Sequence, residues 1–132
     1  MPDIFIPASP ADLVDQMVVV QTLAAEAQDA SSSAIYSRRL SQMETLAAEL
    51  LPPNAHPSAA GVTSARTDLL QLEADMRACE ARSDFGVGFV ALTRAYLDAR
   101  ATLVEQKRAF DAAISPTLID RASAGGQGDR HL

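Results

Sequence analysis

The stretch FVALTRAYLDARATLVEQKRAFDAA, residues 89–113, decides the fold. Phe89, Leu92, Tyr96, Ala99, Leu103, Phe110 and Ala113 recur at alternating intervals of three and four, so that with Gln106 in the remaining slot seven of eight seam positions are apolar. That period belongs to an α-helix with one apolar stripe, since a half-buried strand would alternate every second residue. Val90, Leu97 and Val104 flank the stripe, and the pattern predicts a buried face broader than a two-stranded seam. A helix over residues 88–114 would be about 40 Å long.

Upstream, the same rhythm appears three more times. Val62, Ala65, Leu69, Leu72, Met76 and Cys79 predict a helix over residues 62–82. Between them lies Leu51-Pro52-Pro53-Asn54-Ala55-His56-Pro57, which reads as a loop because closely spaced prolines remove donors and restrict the residues before them. Tyr36, Leu40, Met43, Ala47 and Leu50 predict a helix over residues 34–51. Leu13, Met17, Val20, Ala24 and Ala27 predict another over residues 10–30. Its start is sharp: Ser9-Pro10-Ala11-Asp12 places serine at the cap, proline at the first helical position and an acid three residues after the cap. The two stripes are out of step by two residues across Ser31-Ser32-Ser33, so residues 10–51 form either two helices or one that turns a new face to a new neighbour. Ser115-Pro116 repeats the start signal and predicts one short further turn, and residues 122–132, ASAGGQGDRHL, read as a flexible tail. The fold class expected is therefore all-α: one domain of three to four helices in an antiparallel bundle, with an extended arm over residues 1–9.

Composition agrees. Of the 132 residues, 48% are hydrophobic but only 5% aromatic, and alanine and leucine dominate, which suits closely packed helices. No run reaches the ~20 apolar residues of a membrane span, so no span is expected. Asp3 stands where a secretory leader would carry basic residues, and the expected location is the cytoplasm or a large assembly such as a virion. A single cysteine, Cys79, leaves no internal disulfide.

The inventory for chemistry is thin. Lys107 is the lone lysine, Asn54 the lone asparagine, and the two histidines, His56 and His131, lie in the proline-rich loop and near the C-terminus. Acid–base and nucleophilic catalysis need such groups to converge. No Glu-x-x-His or Cys/His spacing offers a metal site, and no catalytic residue, cofactor or small-molecule ligand is expected. Cys79 falls on the stripe with Met76 and reads as a small buried hydrophobe. Phe85-Gly86-Val87-Gly88-Phe89 has Gly-x-Gly before a helix, but without a preceding strand or a following lysine it reads as a tight turn whose glycines allow positive φ. Glu73/Arg77 and Arg94/Asp98 read as surface pairs, and Arg100, Lys107 and Arg108, interleaved with Asp98, Glu105 and Asp111, form no nucleic-acid stripe.

Two features point to protein partners. The net charge is −6, and Asp3, Asp12, Asp15, Glu26 and Asp29 precede the first basic residue, Arg38. That places an acidic face on the first helix, which is either simply solvated or the counterpart of a basic protein surface, and which disfavours nucleic acid and anionic lipid. Ile4-Phe5-Ile6, closed off by Pro7 and Pro10, forms an apolar arm that either folds back on its own bundle or docks on another subunit. Ile4, Phe5, Ile6, Asp12, Asp15, Glu26 and Asp29 are thus the candidate interaction residues. The expected function is a non-enzymatic structural subunit of a multi-protein assembly, such as a phage particle or a bacterial secretion or appendage structure, contacting copies of itself or neighbouring proteins through its helical stripes and N-terminal arm. A second reading is a small acidic binding module, a secretion chaperone or an inhibitor, that masks a basic or amphipathic partner.

Overall fold

The computed structural model describes residues 9–125 and is all-helical over them. Five helices follow in order: α1 (Pro10–Glu26), α2 (Ala30–Leu50), the single turn α3 (Ala55–Ser58), α4 (Ala60–Ala81) and α5 (Val87–Gly125). Ile4, Phe5, Ile6 and the residues from 126 on, His131 among them, lie outside the described residues, as does the side chain of His56.

The start of α1 forms as its sequence dictates. The Ser9 hydroxyl accepts from the Asp12 N–H at 3.2 Å, and the Asp12 carboxylate accepts from the Ser9 N–H at 3.0 Å, a reciprocal capping box. The chain breaks at Ala27-Gln28-Asp29, before the serines and not at them. The Asp29 carboxylate accepts the Ser32 N–H at 2.7 Å, so the serines make up the first turn of α2. That contact with the Ser32 amide holds the Asp29 carboxyl below its ordinary range. Residues 10–51 are therefore two helices, ending and starting a few residues earlier than the stripes imply.

Two further boundaries move. The proline-rich segment is not all loop: Ala55 donates to the Pro52 carbonyl at 2.9 Å and α3 forms around Pro57, which needs no hydrogen-bond partner within a single turn. Ala55 and Ala59 are buried there, so the connection belongs to the core. The helix α5 runs through Pro116 to Gly125 instead of ending at residue 114 and restarting. Phe110 and Ile114, both nearly inaccessible, hold it against the core up to the proline, which then forfeits one hydrogen bond within a continuous helix of about 58 Å.

The core is built of α1, α3, α4 and α5. Ala11 and Val14 meet Ala55, Ala59, Val62, Ala65 and Leu69 and, from α5, Leu103, Phe110 and Ile114. Four of these are alanines, which let the helix axes approach closely. The α4 stripe is buried or half-buried throughout, as its spacing predicts. On α5 the stripe shifts after Leu103: Lys107, Phe110 and Ile114 turn inward, and Gln106 and Ala113 outward. Gln106 lies over Gly61, where a Cβ would meet its side chain. Val90, Leu97 and Val104 do not widen the buried face; each is 45–58% exposed. The half-buried positions of α1 include Leu13, Met17 and Ala24, with Ala27 just past its end, but its most buried side chains are Ala11, Val14, Asp15 and Val20. The deeper face was obscured in the sequence by the acid within it.

The turn between α4 and α5 corrects the role of its glycines. Asp84 donates to the Cys79 carbonyl at 2.8 Å and Ser83 to the Glu80 carbonyl at 2.9 Å, which is a Schellman closure. The left-handed residue it requires is Ser83, with φ 53°, and no described glycine has positive φ. Serine carries a Cβ penalty there that glycine lacks. Ser83→Gly is therefore expected to stabilise the protein by about 0.5–1 kcal/mol in urea unfolding.

Candidate functional site

The densest polar constellation sits where the apolar stripes meet. Asp15 lies one position after Val14 on α1, Arg66 one position after Ala65 on α4, and Lys107 between Leu103 and Phe110 on α5. Each charged residue is carried inward by buried neighbours on its own helix. The Asp15 carboxylate is 1% exposed. Arg66 grips it with both ends of the guanidinium fork, Nε to Oδ1 and Nη2 to Oδ2, the latter at 2.9 Å. Lys107 Nζ donates to the same Oδ2 at 3.2 Å and pairs also with Asp12. Next to it, the Ala11 N–H, one of the orphan donors at the start of α1, reaches the Asp111 carboxylate on α5 at 2.8 Å.

Electrostatics hold every member ionised. Burial alone would raise the Asp15 carboxyl, but the hydrogen bonds and charge of Arg66, then of Lys107, outweigh it and leave Asp15 below the ordinary carboxylate range. Hydrogen bonding to Lys107 does the same for Asp12. The Asp15 contact raises Arg66. Burial opposes the charge on Lys107, and its bonds to Asp12 and Asp15 overcome that and raise it. The Asp15 carboxylate thus accepts three charged hydrogen bonds, two from Arg66 and one from Lys107. Among the described residues, no buried side-chain nitrogen or oxygen lacks a partner, and no group of three His, Cys, Asp or Glu could hold a metal ion. The arrangement suits a structural lock and not acid–base chemistry, for which a proton must be exchanged with a substrate.

Of the acids assigned to interaction, Asp12 and Asp15 come together on Lys107, while Glu26 and Asp29 lie at the far end of α1, Glu26 exposed and Asp29 capping α2. The sequence did not single out Arg66, and it counted Lys107 among surface charges. The available signal was the seam itself: beyond Gln106 the three–four rhythm can pass through Lys107 as easily as through Gln106. Cys79 is buried as its stripe position predicts, and the exposed Arg77 pairs with half-buried Glu73 at 3.8 Å.

The second candidate is a surface. The helix α2 packs on α1 and on no other helix among the described residues, and none of its own residues is buried. An open groove of about 870 Å³ consequently runs between α1, α2 and the α3–α4 segment, with Val14, Met17, Val18, Leu40 and Ala47 in its walls and Glu44 as its one charged lining residue. A smaller crevice of about 470 Å³ opens beside the start of α1, against Met43, Leu46 and Leu50 of α2. No described helix is long and apolar enough to cross a membrane. Comparison with protein-family models, with curated proteins and with solved structures finds no match to this chain.

The cluster makes stability depend on acid pH. A carboxyl held below its unfolded value of about 3.9 contributes stability above that value and loses it as pH falls through the folded one. Unfolding free energy is expected to be level across neutral pH and to drop below about pH 4. Asp15→Asn, which leaves two cations facing a neutral buried amide, is expected to lose about 3 kcal/mol at pH 7 and to flatten that acid limb in urea titrations.

Proposed function

We propose that this chain is a non-enzymatic subunit of a multi-protein assembly, and that it binds other protein chains, copies of itself among them, through apolar helical surface. The observation that carries the reading is the incomplete burial of α2: a helix of 21 residues with no buried side chain, flanking an apolar groove large enough for an inserted helix face or several side chains. A second uncovered surface supports it. Val90, Leu97 and Val104 recur every seven residues along α5 and stay about half exposed, a spacing that suits a neighbouring helix.

An enzyme is disfavoured by the same geometry, since the strongest cluster of titratable groups is internally neutralised. The setting in a phage particle or a bacterial secretion or appendage structure rests on composition alone, with arginine ten times as frequent as lysine and alanine abundant. A binding module that takes the amphipathic helix of one client is the second reading, favoured by the groove. Its acidic rationale is weaker than the sequence suggested, because Asp12 and Asp15 already face Lys107 and Arg66.

Light scattering separates the two. For a self-associating subunit the mass should rise above 14.0 kDa with concentration and return towards it in Leu97→Glu. A mass that stays at the monomer value at every concentration would remove self-association and favour the client-binding module.

A further inference from the structure

We propose that the crevice between the start of α1 and the end of α2 is the seat of the protein's own arm, with Ile4, Phe5 and Ile6 folding back into it within the same chain. The walls of the crevice include Ser9 and Pro10, the residues through which the arm joins the bundle, together with Leu13 on α1 and Met43, Leu46 and Leu50 on α2. The chain therefore enters the described structure at the rim of an apolar hollow, immediately after its most apolar short run.

The dimensions agree. Phe5 is four residues before Ser9, a reach of up to about 13 Å in extended chain. The α1 wall from Pro10 to Gln16 rises about 9 Å along its axis. A volume of about 470 Å³ falls within the size of hollows that enclose compact apolar groups. The chemistry agrees as well. Leu46 and Leu50 are 43% and 53% exposed, and three large apolar residues on the arm would otherwise face water. Pro7 fixes its own φ and biases Ile6 towards extended backbone, which lowers the entropy lost on docking.

The same tether decides between this seat and others. A linker of a few residues gives the arm a millimolar effective concentration at its own crevice, which a second copy in dilute solution does not match. The larger groove is not bordered by Ser9 or Pro10. The proposal is independent of the assembly role, and under both readings of function it leaves α5 and the larger groove as the surfaces open to partners.

Disulfide trapping in the full chain tests it. Cys79, which is buried, is first replaced by alanine. Ile6→Cys and, separately, Ile4→Cys are each combined with Leu46→Cys, so that Phe5 stays in place as an anchor. Combination with Leu97→Cys, more exposed than Leu46 but on α5, sets the background. An intramolecular disulfide forming several-fold faster in either Leu46 pair than in the control, and running as a monomer without reductant, is the expected result. A cross-linked dimer as the main product would place the arm on another copy and overturn the proposal. Trapping no faster than the control in both pairs would overturn it too.

Discussion

The carboxylate of Asp15, almost wholly withdrawn from water and held by Arg66 and Lys107, is the interaction on which the rest of the structure depends. Withdrawing a charge is expensive, and a buried ion pair often adds little net stability over an apolar replacement. Its effect is on arrangement. Much of the surrounding core is alanine, whose small side chains interlock weakly and would allow neighbouring helices to slide. The bidentate fork on Asp15 favours one alignment of α1 with α4, and Lys107 ties α5 to α1. Separating Arg66 from Asp15 strands the guanidinium, whose only hydrogen-bond partner described is that carboxylate, so alternative registers are penalised even where apolar packing would accept them.

From that lock the remaining features follow in order. Asp111 and the Ser9–Asp12 capping box satisfy the first amides of α1, so its N-terminal end is tied down at the cluster. The chain then leaves α1 at Ala27-Gln28-Asp29, and α2 has only α1 to pack against. A helix supported along one side keeps its flanks open, which creates both the broad groove and the crevice beside Ser9. The uncovered apolar surface on which the functional proposal rests is in this sense a consequence of how α1 is shared: one face is committed to α4 and α5, the other to α2.

The four long helices and the class, though not the single turn α3, were legible because three–four spacing directly encodes a buried face, and the α4 stripe from Val62 to Cys79 is buried or half-buried residue for residue. Boundaries were less so. The serine run drew attention as a break because serine suits caps, yet Asp29 captured the Ser32 amide first and placed the serines inside α2. Ser115-Pro116 has the composition of a helix start, but that signal cannot reveal that Phe110 and Ile114 already anchor a helix running into it. The glycines of the α4–α5 turn drew the positive φ that Ser83 in fact adopts, since Schellman geometry is set by position along the helix end as much as by residue type. The central cluster was the least legible. Its members are 51 and 92 residues apart, and each taken alone has the look of a surface charge. Only the placement of Arg66 and Lys107 beside buried neighbours distinguishes them, and that placement depends on which helices meet.

A double-mutant cycle joining Asp15→Asn and Arg66→Met, read by urea unfolding at pH 7, tests the lock most directly. Asp15→Asn strands Arg66 and Arg66→Met leaves the buried carboxylate with Lys107 alone, whereas the double change removes the bidentate pair together. The account requires the double variant to lose less than the sum of the singles, with a coupling of about 2 kcal/mol. Losses that add, with a coupling near zero, would mean that Asp15 and Arg66 act independently and that the register of α1 on α4 is set by apolar packing alone.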